Sequence, residues 1–114
     1  MPLCEITTNV QTADTKALSL KAASTVAELL FKPLSYVMAV VKHNPSLTFG
    51  GTDDAAVLVN IGSLGAVGGD KNKAIVAGIT DLIGKELAVP PNRVYVWIHD
   101  IPRTDFGFNG STFA

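Results

Sequence analysis

The stretches FKPLSYVMAVV (31–41) and VPPNRVYVWI (89–98) follow one plan and decide the fold. Placing Pro33 over Pro90 aligns Tyr36–Val40 with Arg93–Trp97, at an offset of 57 residues, half of the 114-residue chain. In each copy a proline ends a helical pattern, because the residue before proline is pushed out of the α region. An almost continuous apolar run follows, which predicts strands over Tyr36 to Val41 and Val94 to Ile98. Upstream of each proline lies an amphipathic stripe at helical spacing: Leu18, Ala22, Val26, Leu29 and Leu30, then Ile75, Ile79, Leu82, Ile83 and Leu87. Asp14 or Thr15 is the expected N-cap of the first helix. Asp70, closing the glycine-rich GAVGGD (65–70), is the expected cap of the second. Leu3 to Thr8 and Ala55 to Leu64 read as the strands that open the two units.

Two β-α-β units predict an α/β (α+β) domain over residues 1–114, a four-stranded sheet with both helices on one face. The apolar strands leave the sheet no polar face, and sheets of that kind are normally covered on both sides. Two helices cannot do that. Charged residues make up 17% of the chain, against about 25% in ordinary domains. Both observations predict a closed homo-oligomer whose copies cover the open face. The tail, DIPRTDFGFNGSTFA (100–114), is expected to pack Phe106, Phe108 and Phe113 around a turn at Asn109-Gly110. Asn109-Gly110-Ser111 also fits a glycosylation pattern, but without a secretory signal it reads as a turn.

Composition excludes several functions. Ten acidic and nine basic residues give a net charge of −1, and the longest basic cluster, Lys71 with Lys73, is no patch. Neither nucleic acid nor an anionic membrane is an expected partner. Cys4 is alone, so an internal disulfide and a thiolate metal cage are excluded; His43 and His99 are too few for a histidine site. Glu5, Asn9 and Gln11 break any signal-peptide core, and no apolar run approaches a membrane span of about 20 residues. The expected compartment is the cytoplasm, with export by an unconventional route left open.

Gly62, Gly65, Gly68 and Gly69 lie between a strand and a helix but fit neither a dinucleotide fingerprint nor a phosphate loop, and read as a flexible connection. Asp53-Asp54 reads as a solvated loop, and Ser63 has no His–acid pair to activate it. Pro2 differs. Trimming of Met1 would expose a secondary amine at the start of a strand. An α-amine titrates ordinarily near ~7.7–8.0, and burial beside a cation lowers that value. A neutral amine near pH 7 is a usable general base. Proline is also a common second residue, and the terminus alone does not decide. Lys32 ends the first helix, where the dipole favours a cation in any case. In the two-unit arrangement it comes to the same end of the sheet as Pro2.

The N-terminal Met-Pro, Thr8-Asn9-Val10, Lys32-Pro33, Phe49-Gly50-Gly51, Ser63 with Gly65, Gly68-Gly69, Arg93-Val94-Tyr95 and the closing NGSTFA (109–114) share an order and a spacing. In these motifs the chain resembles the macrophage migration inhibitory factor family of the tautomerase superfamily over its whole length. The resemblance implies a trimer of β-α-β-β-α-β subunits enclosing a channel, with a pocket at each subunit interface. It implies Pro2 as catalytic base, Lys32 on the substrate carboxylate, the Leu64 backbone against substrate and Tyr95 reaching in from a neighbour. Phe113 and the Phe106 region would form an apolar wall.

The implied activity is keto–enol tautomerisation of aryl α-keto acids such as phenylpyruvate, with dopachrome tautomerisation as a further one, and the implied reaction needs no metal or organic cofactor. Ala56-Val57-Leu58-Val59 stands where better-studied vertebrate members carry Cys-x-x-Cys, so thiol oxidoreductase chemistry has no residues to run on. Trp97 replaces a pocket Asn, and Phe106 and Phe108 replace a small aliphatic residue and a Trp. A weaker, more selective pocket is expected. Two alternatives stay open: a cytokine-like ligand that keeps the fold to bind a receptor, and a related isomerase or dehalogenase. The second lacks the extra arginine it would need near the start of the chain.

Overall fold

Four strands form one mixed sheet in the order β2-β1-β3-β4, with β1 at Pro2–Thr8, β2 at Met38–His43, β3 at Val57–Ser63 and β4 at Val94–Asp100. The computed structural model describes all of residues 1–114. The central pair β1–β3 is antiparallel, with Pro2 opposite Ser63 and Thr8 opposite Val57. β2 joins β1, and β4 joins β3, in parallel. Each parallel pair is linked by one helix, α1 (Thr15–Leu30) or α2 (Asp70–Leu87). The two expected β-α-β units are present, and both helices lie on one face of the sheet.

The repeat extends to the connections. Each helix ends on a left-handed residue, Phe31 or Ala88, both at φ 55°. A proline then starts a short 3-10 turn, Leu34–Tyr36 in the first unit and Pro91–Arg93 in the second. Tyr36 therefore belongs to a turn, and β2 begins at Met38 instead of the expected Tyr36. The helix stop also lies earlier than the proline rule places it. The Lys32 amide turns back to the Ala27 carbonyl at 3.0 Å, closing α1 before Pro33 can act. Asp14 is the N-cap of α1, its carboxylate accepting from the Ala17 amide at 2.9 Å. Asp70 is not a cap. Gly69, at φ 53°, takes that position, and Asp70 is the first helical residue, ion-paired with Lys73.

Alternation along β1 and β3 sends Cys4, Ile6, Val57, Val59 and Ile61 inward onto Ala22, Val26 and Leu30 of α1 and Ile75, Ile79 and Ile83 of α2. The helices approach closely at Gly78, where an added Cβ would stand 2.8 Å from the Leu29 methyls. The other face of the sheet has no cover. Met38, Leu58, Tyr95 and Trp97 project from it with relative exposures of 76%, 39%, 65% and 60%. Between Met38 on one edge and Leu58, Tyr95 and Trp97 on the other lie Thr7, Asn60 and the Glu5–Lys42 ion pair, so the open face is mixed, with exposed apolar groups at both edges.

Two side chains fix the long connection between β2 and β3. Asn9 Nδ2 donates to the carbonyls of Leu47, Asp53 and Asp54, and Asn9 Oδ1 accepts from the Ala56 amide at 2.9 Å. Arg93 donates to Phe49, Asp54 and Ala55, and its guanidinium lies 4.9 Å over the Phe49 ring. At the other end of the chain the tail forms a hairpin, β5 (Gly107–Phe108) with β6 (Ser111–Thr112). Asn109 and Gly110, at φ 54° and 84°, supply the left-handed pair its tight turn requires. Phe113 packs on both Phe106 and Phe108, as the tail's composition predicts.

Asn9→Ala leaves the Ala56 amide and the carbonyls of Leu47 and Asp53 without this partner, while the Asp54 carbonyl keeps Arg93. The expected loss is about 1–3 kcal/mol of stability in urea denaturation. Amide exchange should quicken across residues 47–56 before it does in β1 and β3. An unchanged midpoint and unchanged exchange would contradict the clamp.

Candidate active site

Pro2 is buried at the first position of β1, where a residue without an N–H is tolerated in a sheet. A mostly apolar cavity of about 440 Å³ opens beside it, lined among others by Ser35, Tyr36, Met38, Phe106 and Phe108. Three segments build this cavity, and each has a local cause. Parallel pairing of Leu3 with Met38 draws the 3-10 turn at Leu34–Tyr36 to the start of β1. The Ile101 amide donates to the Ser63 carbonyl at 2.8 Å, turning the tail back across the residue that faces Pro2. The tail hairpin then presents Phe106 and Phe108, held from behind by Phe113, whose amide bonds the Phe106 carbonyl at 3.3 Å.

Here the chain terminus is still the Met1 amine. It marks, within one residue, where the Pro2 nitrogen would become the terminus. That amine is held below its ordinary value of 8.0, first by burial and then by the charge of Lys32. Lys32 is half-buried at the end of α1 and joins none of the four ion pairs of the chain. Both influences disfavour the charged form of an amine placed here. Cys4 offers no competing nucleophile. Burial, and then Glu5, push its thiol up to about 12, and a protonated thiol is inert. Ser63 Oγ is buried without a hydrogen-bond partner, and no basic group activates it. No three His, Cys, Asp or Glu side chains converge as a metal site requires.

A single chain thus brings Pro2 and Phe106 to one cavity and places Lys32 where its charge reaches the terminus. Leu64, just past β3, does not line the cavity, and Phe113 stands behind its wall. Tyr95 pairs with Leu58, five residues along β3 from Ser63, which puts it about 17 Å from the Pro2 end. It lines a separate hollow with Leu47 and Phe49. Trp97 sits on the uncovered face against His99, ring centroids 4.2 Å apart. Within a single chain neither reaches Pro2. Tyr36, read from sequence only as part of a strand, proves to be a cavity residue. Its place in a proline-initiated turn beside the first strand was the available signal.

The sequence model of the family described as macrophage migration inhibitory factor (MIF) matches residues 1–114. A macrophage migration inhibitory factor homolog of Trichuris trichiura is 39% identical over 99% of this chain and 100% of its own length. One of Brugia malayi is 37% identical, with 100% of both chains covered. Among solved structures, the macrophage migration inhibitory factor homologue from Prochlorococcus marinus superposes with a TM-score of 0.92 at 33% identity, covering 98% of this chain and 99% of that one. The chain belongs to the macrophage migration inhibitory factor family.

Proposed function

We propose that this chain is a keto–enol tautomerase of aryl α-keto acids such as phenylpyruvate, with the Pro2 nitrogen as general base once Met1 is removed. One observation carries the reading: Pro2, buried at the start of β1, lines an apolar cavity, in surroundings where burial and the charge of Lys32 lower the pKa of the adjoining Met1 amine. Membership of a family with the tautomerase fold supports it. A neutral Pro2 amine removes a proton from the carbon α to the ketone. The electron pair moves onto the carbonyl oxygen, and the protonated amine returns its proton there. Lys32 holds the carboxylate and stabilises the charge that develops towards the enolate. Phe106 and Phe108 enclose the aryl ring, and their apolar surroundings keep water from protonating the base.

The full site requires more than one copy of the chain. The uncovered sheet face supports a homotrimer, in which Tyr95 and Trp97 of one subunit complete the cavity of the next. A Trp at that place presents only an N–H donor and a large apolar surface. It favours phenylpyruvate over its ring-hydroxylated analogue.

Retaining Met1, or adding any residue before Pro2, should abolish enolisation of phenylpyruvate while leaving the circular dichroism and melting profile unchanged. Full activity in a blocked, mass-verified sample would remove Pro2 from the reaction.

Lys32→Ala is expected to lower kcat/KM for keto acids by roughly 10- to 150-fold, the loss of a hydrogen bond to a charged group, with a much smaller effect on the matching methyl esters. The pH profile provides an independent sign. Activity needs the neutral Pro2 amine, so kcat/KM rises with pH as that amine loses its proton. Removing the Lys32 charge lets the amine hold its proton longer and moves that limb to higher pH. Equal losses for acids and esters, or a shift to lower pH, would contradict the assignment.

A further inference from the structure

Sulfur is scarce in this chain. Cys4, Met1 and Met38 are all it carries. Cys4 packs in the core at 1% exposure, and its thiol stays protonated and inert. Met1 leaves with the trimming that frees Pro2. Met38 then holds the one accessible sulfur, at a relative exposure of 76%. The core does not account for a methionine here. Alternation along β2 turns Ala39 and Val41 towards the helices and leaves Met38 and Val40 on the open face. A thioether there fills no gap between packed side chains, which is its usual use.

Its place in the fold is specific. Met38 is the first residue of β2 and pairs in parallel with Leu3, the residue after Pro2. It lines the same cavity of about 440 Å³ as Pro2, Tyr36, Phe106 and Phe108. No charged side chain lines that cavity, and only Ser35 and Tyr36 bring side-chain hydrogen-bonding groups to it. A polar atom added to this wall therefore finds few partners once a ligand has displaced water. A route wide enough for an aryl keto acid also admits hydrogen peroxide, a much smaller molecule. Cover of the open sheet face by further copies thus leaves the Met38 side chain within reach of peroxide.

We infer that Met38 is a reversible oxidation site through which peroxide weakens ligand binding in the Pro2 cavity. The sulfur lone pair attacks one peroxide oxygen, and the O–O bond breaks as the S–O bond forms. The released hydroxide takes up a proton and leaves as water; sulfur loses two electrons and peroxide gains them. The sulfoxide is polar where the thioether was apolar, and a methionine sulfoxide reductase drawing electrons from thiols restores it. An aryl ring seated between Phe106 and Phe108 strips water from the new oxygen, with only the Ser35 and Tyr36 hydroxyls on the cavity wall to replace it. The effect on turnover rests on the tautomerase reading; the oxidation and its effect on binding do not.

The test exposes protein with Met1 removed, verified by mass, to hydrogen peroxide until each chain has gained one oxygen, which peptide mapping then locates. It should lie on Met38. KM for phenylpyruvate should rise about fivefold, the low end of the cost of leaving a polar group unpaired, because the site is open on one side. The value of kcat should change little, since Pro2 is untouched. Methionine sulfoxide reductase should return KM to its starting value. Met38→Leu, compared with itself before and after peroxide, should show no rise. Met38→Gln, similar in length but with a polar end, should show a raised KM without peroxide. An NMR titration with unreactive phenylacetate, followed at the amides of Tyr36 and Phe108, reads binding alone. If phenylpyruvate is not turned over while oxidation still weakens phenylacetate, the tautomerase reading fails and the oxidation site stands. Oxygen gained elsewhere with Met38 still reduced, an oxidised Met38 with unchanged phenylacetate affinity, or an equal rise in Met38→Leu overturns the inference.

Discussion

The four-stranded sheet carries apolar side chains on both faces, while its two helices cover only one. That asymmetry decides which side chains a second copy of the chain could meet. The covered face holds Cys4, Ile6, Val59 and Ile61 against α1 and α2. The open face leaves Met38, Val40, Leu58, Tyr95 and Trp97 in solvent. Full burial of such side chains is worth roughly 1.5–3 kcal/mol each. Only part of that is still to be gained at these five, which are between 39% and 76% exposed. The same geometry separates Tyr95 from Pro2 within one chain, so the surface that calls for other copies also holds the residues a neighbour would contribute.

The chemistry proposed at Pro2 depends on the same packing. A base at a chain terminus needs burial to favour its neutral form, and chain ends are usually solvated. Here β1 begins at its second residue, pairs on both sides, and receives the tail across Ser63. The terminus is thereby built into the middle of the sheet. Lys32 arrives because α1 runs back along β1 and stops one turn short of Pro33. Its capping by Phe31 fixes where the ammonium emerges, which ties a backbone irregularity to the electrostatics of the terminus.

Much of this was legible in the chain itself. Helical spacing gave both helices, Asp14 its capping role, Asn109-Gly110 the hairpin turn, and the prolines at 33 and 90 the internal repeat. The errors share a physical origin. Apolar runs do not reveal where extended backbone begins, so Tyr36 was read as strand when a proline-initiated turn holds it. Asp70 looked like a cap because its side chain suits one, but Gly69 takes the left-handed backbone at that point. Asn9 and Arg93 act across 38 or more residues of sequence, through carbonyls that no composition rule identifies.

The central claim is that the open sheet face is completed by two further copies and that the catalytic cavity is completed with it. Sedimentation equilibrium at micromolar concentration, with phenylpyruvate turnover followed on the same dilution series, tests this most directly. The account predicts a mass three times the 12.0 kDa of one chain, with activity falling as the trimer dissociates. A stable monomer that retains full turnover would contradict it.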